Sequence, residues 1–141
     1  MRNEILSALS AAGAALDDAA SGVRAIAPRE GWRAAAAGVH AAGARFFDLT
    51  AIDRGDAVEL VLVLVDGVSG QFSLRTACPD GDLTADSLSA GFPPAEWAER
   101  EVFDMFGVVF AGNPDMTRIL QPEDSTIFPL RKSFLLEERA W

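Results

Sequence analysis

Carboxylates outnumber every other reactive group in this chain, with Asp and Glu totalling 21 against 12 Lys and Arg. They crowd into segment 96–104, where Glu96, Glu99, Glu101 and Asp104 alternate with Trp97, Val102 and Phe103. Glu99 and Glu101 stand two residues apart, a spacing that makes helical side chains diverge, so they do not form a general acid–base pair. Ser69, Ser73, Ser87 and Ser89 have no nearby histidine, which leaves no visible nucleophile–base pairing. His40 is the only histidine, in an alanine-rich stretch, and has no second histidine with which to hold a metal. Cys78, the only cysteine, precedes Pro79, and no Cys-x-x-Cys motif is present for zinc or an iron–sulfur cluster. Gly67-Val68-Ser69-Gly70-Gln71 is not a phosphate loop. Arg118, Arg131 and Lys132 could together bind an anion. Their apolar flanks suit anchors for a partner's carboxylates better. These residue types point to interaction surfaces without an evident active site.

Bulk properties narrow the classes further. A net charge of −9 argues against binding a nucleic-acid backbone, which requires a basic stripe. The length of 141 residues suits one domain with a respectable core, and half of the residues are apolar. A single thiol forms no internal disulfide and fits a reduced, cytoplasmic setting. No run of apolar residues is long enough to span a membrane, and Met1-Arg2-Asn3-Glu4 does not open a signal peptide.

The element that must carry the acidic segment is a helix from about Pro94 to Phe106. Pro93 or Pro94 suits its first turn, Glu96 and Glu99 favour its N-terminus, and Gly107 closes it in a left-handed conformation. At 3.6 residues per turn, Trp97, Ala98, Val102, Met105 and Phe106 share one side, with Glu101 inside that apolar arc. Phe103 falls opposite, among Glu96, Glu99 and Arg100. A core-facing Glu101 requires a partner, and a water-facing Phe103 requires a cover. Both features predict a helix with a second, partner-facing surface.

Earlier in the chain, residues 3–20 read as an alanine-rich helix, and a second helix runs from Pro28 to about Gly43. The period then changes. Arg45 to Asp53 alternates, with Phe47, Leu49 and Ala51 on one face and Phe46, Asp48 and Thr50 on the other. Ala57 to Val65 is a near-continuous aliphatic run, which predicts a central strand covered on both faces. Asp66-Gly67 marks a hairpin and Gln71 to Ala77 a third strand. Residues 84–88 read as a short helix capped by Thr84. The fold class is α+β: a small, mostly antiparallel sheet of three or four strands packed with helices.

From Ala111 onward the chain changes character. Pro114, Pro122 and Pro129 forbid long helices and central strands, yet Met116, Ile119, Leu120, Ile127, Phe128, Leu130, Leu135 and Trp141 are not linker composition. The division is an α+β domain over 1–110, whose residues 1–27 hold the first helix, and an extended arm over 111–141. The arm is expected to wrap a partner subunit, the other possibility being its own domain.

Three runs carry a family resemblance: W-A-E-R-E-V-F-D-M-F-G-V-V-F (97–110), N-P-D-M-T-R-I-L-Q-P-E-D (113–124) and F-P-L-R-K-S-F (128–134). In order and spacing they resemble the signature region of the 30 kDa hydrophilic subunit of respiratory complex I. The same module occurs in membrane-bound, energy-converting NiFe hydrogenases. The likeness covers the C-terminal third closely and extends more loosely back to Phe46, while residues 1–27 match nothing in it. This chain has Asn113 where the family usually has histidine and Thr117 for its first arginine. Ser125 replaces a tryptophan, and Ile127-Phe128 replaces a Gly-His pair. The aromatic before Pro129-Leu130-Arg131 tilts the likeness toward the hydrogenase branch.

The resemblance implies a non-catalytic subunit without a redox cofactor of its own. Iron–sulfur clusters, with a NiFe site or flavin, would reside in partner subunits. It implies docking on the large catalytic subunit, NiFe-hydrogenase-like or quinone-binding, beside an iron–sulfur subunit in a hetero-oligomer. The membrane would be met only through that complex, at the cytoplasmic face of the inner membrane. On this reading Glu99, Arg100, Glu101, Phe103, Asp104, Asp115, Arg118, Arg131 and Lys132 are the partner-binding residues. The alternatives are a free-standing anion-binding domain or enzyme using Arg118, Arg131 and Lys132, and an assembly factor of the same fold.

Overall fold

The structure, a computed structural model, describes residues 2–19, 22–68 and 70–136; Ser69 and Trp141 lie outside them. In chain order the elements are α1 (Arg2–Ala11), β1 (Ala15–Ala19), β2 (Gly22–Ile26), a single 3-10 turn (Arg29–Gly31), α2 (Trp32–Ala41), β3 (Arg45–Asp53), β4 (Ala57–Asp66), β5 (Gly70–Pro79), β6 (Thr84–Asp86), α3 (Ala95–Phe106) and β7 (Val109–Ala111).

The α+β class holds, with three helices among the described residues over a five-stranded sheet in the order β1-β2-β5-β4-β3. Its neighbours are antiparallel except β2 and β5. The expected meander is β3-β4-β5. The two extra strands come from a segment that reads as helix: α1 ends at Ala11 instead of continuing to residue 20, and β1 and β2 form a hairpin. Gly13, at φ 74°, stops α1. Its N–H donates to the Ser10 carbonyl, and the Ala14 N–H donates to the Leu9 carbonyl. Gly43 and Ala44 close α2 by the same pair of bonds, a left-handed glycine cap in both cases. Past the cap, ladder bonds to β2 outweigh alanine's helix preference, which is weak wherever tertiary partners compete.

The two alanine-rich helices approach closely. A Cβ on Gly38 of α2 would lie 2.9 Å from the Ala8 Cβ of α1. The core takes Ile5 and Leu9 from α1, Trp32 and Val39 from α2, Val102 and Phe106 from α3, and Val58, Leu60, Leu62 and Leu64 from β4. Val61 and Val63 point the other way. The helices cover only one side, and on the other Val61 is buried and Val63 and Val65 are half-buried, so the expectation that β4 is covered on both faces holds in full on the helix side and in part on the other.

Two local corrections follow from backbone pairing. A bulge between Phe46 and Asp48 lets Phe46 pair with Leu64 and Asp48 with Val63, skipping Phe47. Strict alternation would have sent Phe47 inward. Instead Phe46 packs against the core and Phe47 is exposed. Residues 84–86 are not helical either. They pair in parallel with Val109–Ala111, and Thr84 is a strand residue. Ala85 and Phe110 become buried side by side in that register.

Candidate interaction site

Helix α3 lies between the sheet and the C-terminal arm. Its start at Pro94 (φ −63°, ψ −19°) and its left-handed stop at Gly107 (φ 84°) are as the sequence indicates. Its faces are not. Ala95, Glu99, Val102 and Phe106, at spacings of four, three and four residues, form the seam over the sheet. Glu101 is exposed, and so is Trp97, with the Arg100 guanidinium 5.1 Å above its ring. The two buried carboxylates of α3 are Glu99 and Asp104. An apolar count takes Glu101 as the core-facing acid and sets Glu99 on the water side because it counts Trp97, which is 62% exposed, as core.

Glu99 is fully buried on the sheet side. It accepts from the Leu88 N–H at 2.6 Å, the Ser87 hydroxyl at 2.7 Å and the Asn113 amide at 2.7 Å. Burial nevertheless pushes its pKa up, against the pull of those three donors, and nearby Glu96 pushes the same way. Asn113 stands where the family usually has histidine. It ties the chain after β7 to α3, since its amide also reaches the Glu96 carbonyl at 3.2 Å.

Asp104 lies about 140° further round the helix, away from the sheet. It is fully buried because the arm passes over it. Its Oδ1 accepts from Arg118 Nη1 at 2.8 Å and Gln121 Nε2 at 3.0 Å. Its Oδ2 accepts three successive backbone N–H groups, from Ile119 (3.1 Å), Leu120 (2.7 Å) and Gln121 (2.9 Å). Burial pushes the Asp104 pKa up. Arg118 and the N–H groups of Gln121, Leu120 and Ile119 outweigh it and bring the value to about 2. The Arg118 guanidinium lies 4.9 Å from the Phe128 ring and 6.0 Å from the Phe103 ring, so Phe103 is half-buried.

A second carboxylate pins the far end of the arm. Asp53, at the end of β3, accepts from the Lys132 N–H at 2.8 Å and pairs with Arg131 at 3.1 Å. The Lys132 N–H, followed by the Gly55 N–H, holds the Asp53 pKa below its usual value. Arg131 also pairs with Asp80 at 2.8 Å, and the Leu130 N–H donates to the Met105 carbonyl at 3.1 Å. Phe128 packs on Gly107, where a Cβ would lie 3.3 Å from the ring. The described part of the arm thus lies on its own domain, the second of the two possibilities the sequence leaves for it.

Of the nine sequence-selected residues, Glu99, Arg100, Asp104, Asp115, Arg118 and Arg131 make side-chain bonds inside the chain, and Lys132 makes one through its backbone N–H. Arg100 donates to the Thr117 and Arg118 carbonyls at 3.1 Å each, and lies 3.6 Å from Asp115. Glu101 and Lys132 are exposed. Arg118 and Arg131 do not converge, because each is drawn to a different carboxylate. Sequence reasoning misses Asp53, Asp80 and Gln121. Asp53 reads only as the end of a strand, and nothing local marks Asp80 or Gln121. Beside exposed Glu123, Asp124 and Lys132, the arm also presents leucines: Leu120 is 67% exposed, Leu130 55%, Leu135 83% and Leu136 86%. His40 packs edge-on against Phe92, 4.7 Å between centroids. Among the described residues no group of three or more His, Cys, Asp or Glu is placed to hold a metal ion. No helix among them is long and apolar enough to cross a membrane.

Comparison with known proteins gives a consistent set. The NAD(P)H-quinone oxidoreductase subunit lettered J from Synechococcus sp. (strain RCC307) is 50% identical over 92 residues, covering 59% of this chain and 52% of that protein. The NADH-quinone oxidoreductase subunit lettered C from Chloroherpeton thalassium is 36% identical over 93 residues, covering 64% and 39%. The chain thus spans about half or less of these relatives. Among solved structures, a trypsin-resistant fragment (1-134) of Nqo5 superimposes with a TM-score of 0.71 at 29% identity, over 82% of this chain and 99% of the fragment. A chain of the membrane-bound sulfane sulfur reductase, an archaeal respiratory membrane complex, superimposes with a TM-score of 0.81 at 24% identity, over 96% and 84%, which is a likeness of fold. A family profile described as "Respiratory-chain NADH dehydrogenase, 30 Kd subunit" matches residues 25–140, from the end of β2 through the arm. That span includes both pinned ends of the arm, and the chain belongs to the respiratory-chain NADH dehydrogenase 30 kDa subunit family.

Proposed function

We propose that this chain is a non-catalytic subunit of a complex I-type membrane-bound oxidoreductase, and that α3 with its arm forms the surface that docks on the large catalytic subunit. The observation that carries the proposal is the division of labour in the arm. Arg118, Gln121, Arg131 and the backbone N–H groups of Ile119, Leu120, Gln121 and Lys132 are bound by Asp104 and Asp53, while the Leu120, Leu130, Leu135 and Leu136 side chains are held outward. A segment fixed at two points with its leucines in water is explained by a neighbour that covers them. The arm is then a preformed ledge, and little ordering entropy remains to be lost on binding.

The 50% identity to a quinone oxidoreductase subunit favours the quinone branch over the hydrogenase branch toward which Ile127-Phe128 tilts the sequence. In this reading iron–sulfur clusters and flavin belong to partner subunits, an iron–sulfur subunit lies adjacent, and the chain meets the membrane through the complex at its cytoplasmic face. An anion-binding enzyme is less well supported, because Arg118 and Arg131 already serve separate carboxylates.

The test is the stoichiometry of the complex purified from cells carrying Leu120→Ser with Leu130→Ser. Loss of the large subunit from the preparation, with an unchanged melting temperature of the chain alone, is expected. Retention of full stoichiometry would remove the docking assignment. Recovery of the chain only from immature complexes would indicate an assembly factor instead.

A further inference from the structure

Between β6 and α3 a row of hydroxyls ends on a buried acid. Ser87 follows β6, and its Oγ lies 2.7 Å from Glu99 Oε2 and 2.8 Å from Ser89 Oγ. The Ser89 N–H also donates to Ser87 Oγ at 3.1 Å. Ser87 and Glu99 are buried, and Ser89 is half-buried at the outer end of the row. Ser87 and Leu88 share with Arg33 and Phe92 the wall of a depression of about 240 Å³.

A hydroxyl has one hydrogen to donate and two positions at which to accept. With Glu99 ionised, Ser87 donates to the carboxylate and Ser89 donates to Ser87. With Glu99 protonated on Oε2, the carboxyl donates to Ser87 and Ser87 donates to Ser89. In both states Ser87 donates one bond and accepts two, one of them from the Ser89 N–H, and no heavy atom has to move. The Leu88 N–H and the Asn113 amide remain donors to Glu99 in either state. Asp104 has no such freedom, because a guanidinium and three main-chain N–H groups hold it as an acceptor.

The elements around Glu99 carry Glu96 and Arg100 on α3, Asp86 on β6, Arg33 and His40 on α2, Arg45, Asp48 and Asp53 on β3, and Asp115 on the arm. Among the described residues none of these forms an ion pair with Glu99. Arg100 turns to Asp115, Asp53 is held by Arg131, and Glu96 opposes the negative charge.

We propose that Glu99 is a reversible proton-binding site of the folded chain, served by Ser87 and Ser89 as a relay to the surface. On uptake, a hydronium in the solvent gives its proton to Ser89 Oγ. The Ser89 hydrogen passes to Ser87 Oγ, and the Ser87 hydrogen passes to Glu99 Oε2. Each hydroxyl oxygen gains one O–H bond as it loses another, and the net change is one proton from water to Glu99. Release runs the same steps backwards. The row lies on the sheet side of α3, apart from the proposed docking surface.

The test follows the Glu99 side-chain carboxyl by carbon NMR in the full chain, with Glu99→Gln identifying its signal. The signal is expected to titrate while the backbone amide signals keep their folded dispersion. Ser89→Ala should slow proton exchange at Glu99 at least about tenfold, read as exchange broadening around the midpoint. Ser89→Thr, which retains a hydroxyl, should restore the rate. The melting temperature of Ser89→Ala controls for folding. A carboxyl signal that changes only as the amide signals collapse would overturn the binding site. An unchanged exchange rate in Ser89→Ala, or Ser89→Thr as slow as Ser89→Ala, would overturn the relay.

Discussion

Arg118 holds Asp104 at both ends: its Nη1 donates to the carboxylate at 2.8 Å and to the same residue's main-chain carbonyl at 3.1 Å. The pair is almost wholly buried, with side-chain exposures of 7% and 0%. It joins the last turn of α3 to the arm, and three arm N–H groups complete the carboxylate's shell. The arm's course is therefore set by one acid on the helix.

Asp104→Ala should destabilise the chain by about 3–5 kcal/mol, since it strands the Arg118 guanidinium and several backbone donors. Urea unfolding followed by tryptophan fluorescence measures this. A loss under about 1 kcal/mol would mean that the arm does not depend on this residue.

The two buried acids of α3 should respond to pH with opposite sign. The Asp104 pKa is lowered from 3.8 to about 2, so its contribution is present above 3.8 and disappears as pH falls through about 2. Glu99 is raised above 4.5, so its contribution is complete below 4.5 and declines as pH rises through its folded value. Glu99→Gln should flatten the neutral side of a stability–pH curve, and Asp104→Asn its acid side. Melting temperatures across the acid and neutral range test this, and a steeper neutral side in Glu99→Gln would contradict it.

Arg131→Ala should free the end of the arm in the isolated chain, because Arg131 bridges Asp53 and Asp80. Chymotrypsin cleavage after Phe128 or Phe134 should accelerate. Asp53→Ala should do the same, and the double variant should add little, as expected of residues sharing one interaction. Fully additive effects would separate Arg131 from Asp53.

Gly38→Ala should be destabilising, although alanine in place of glycine within a helix ordinarily gains about 1 kcal/mol. The new methyl would meet the Ala8 Cβ at 2.9 Å, and overpacking of that kind costs about 1–3 kcal/mol. The sign of the melting-temperature change decides the point.

Cys78 should resist alkylation at mild alkaline pH until the chain unfolds. Burial pushes its thiol pKa up to about 11, and its Sγ lies 3.4 Å from the Thr84 carbonyl. Rapid labelling of the native chain by iodoacetamide would contradict this.

The sequence by itself determined the β3-β4-β5 meander, both ends of α3 and the family. These rest on local signals: alternation, Asp66-Gly67, Pro94 and Gly107, and a motif string of fixed spacing. Tertiary structure decided the rest. Only non-local pairing could turn 15–19 and 22–26 into paired strands against alanine's preference, flip Phe46 inward through a bulge, or draw residues 84–86 into a strand. Only the arm's return could bury Asp104 on the side of α3 that faces away from the sheet. Whether a carboxylate is buried depends on donors brought from distant positions, Leu88 and Asn113 for Glu99 and residues 118–121 for Asp104, and hydrophobic periodicity along one helix contains no information about them.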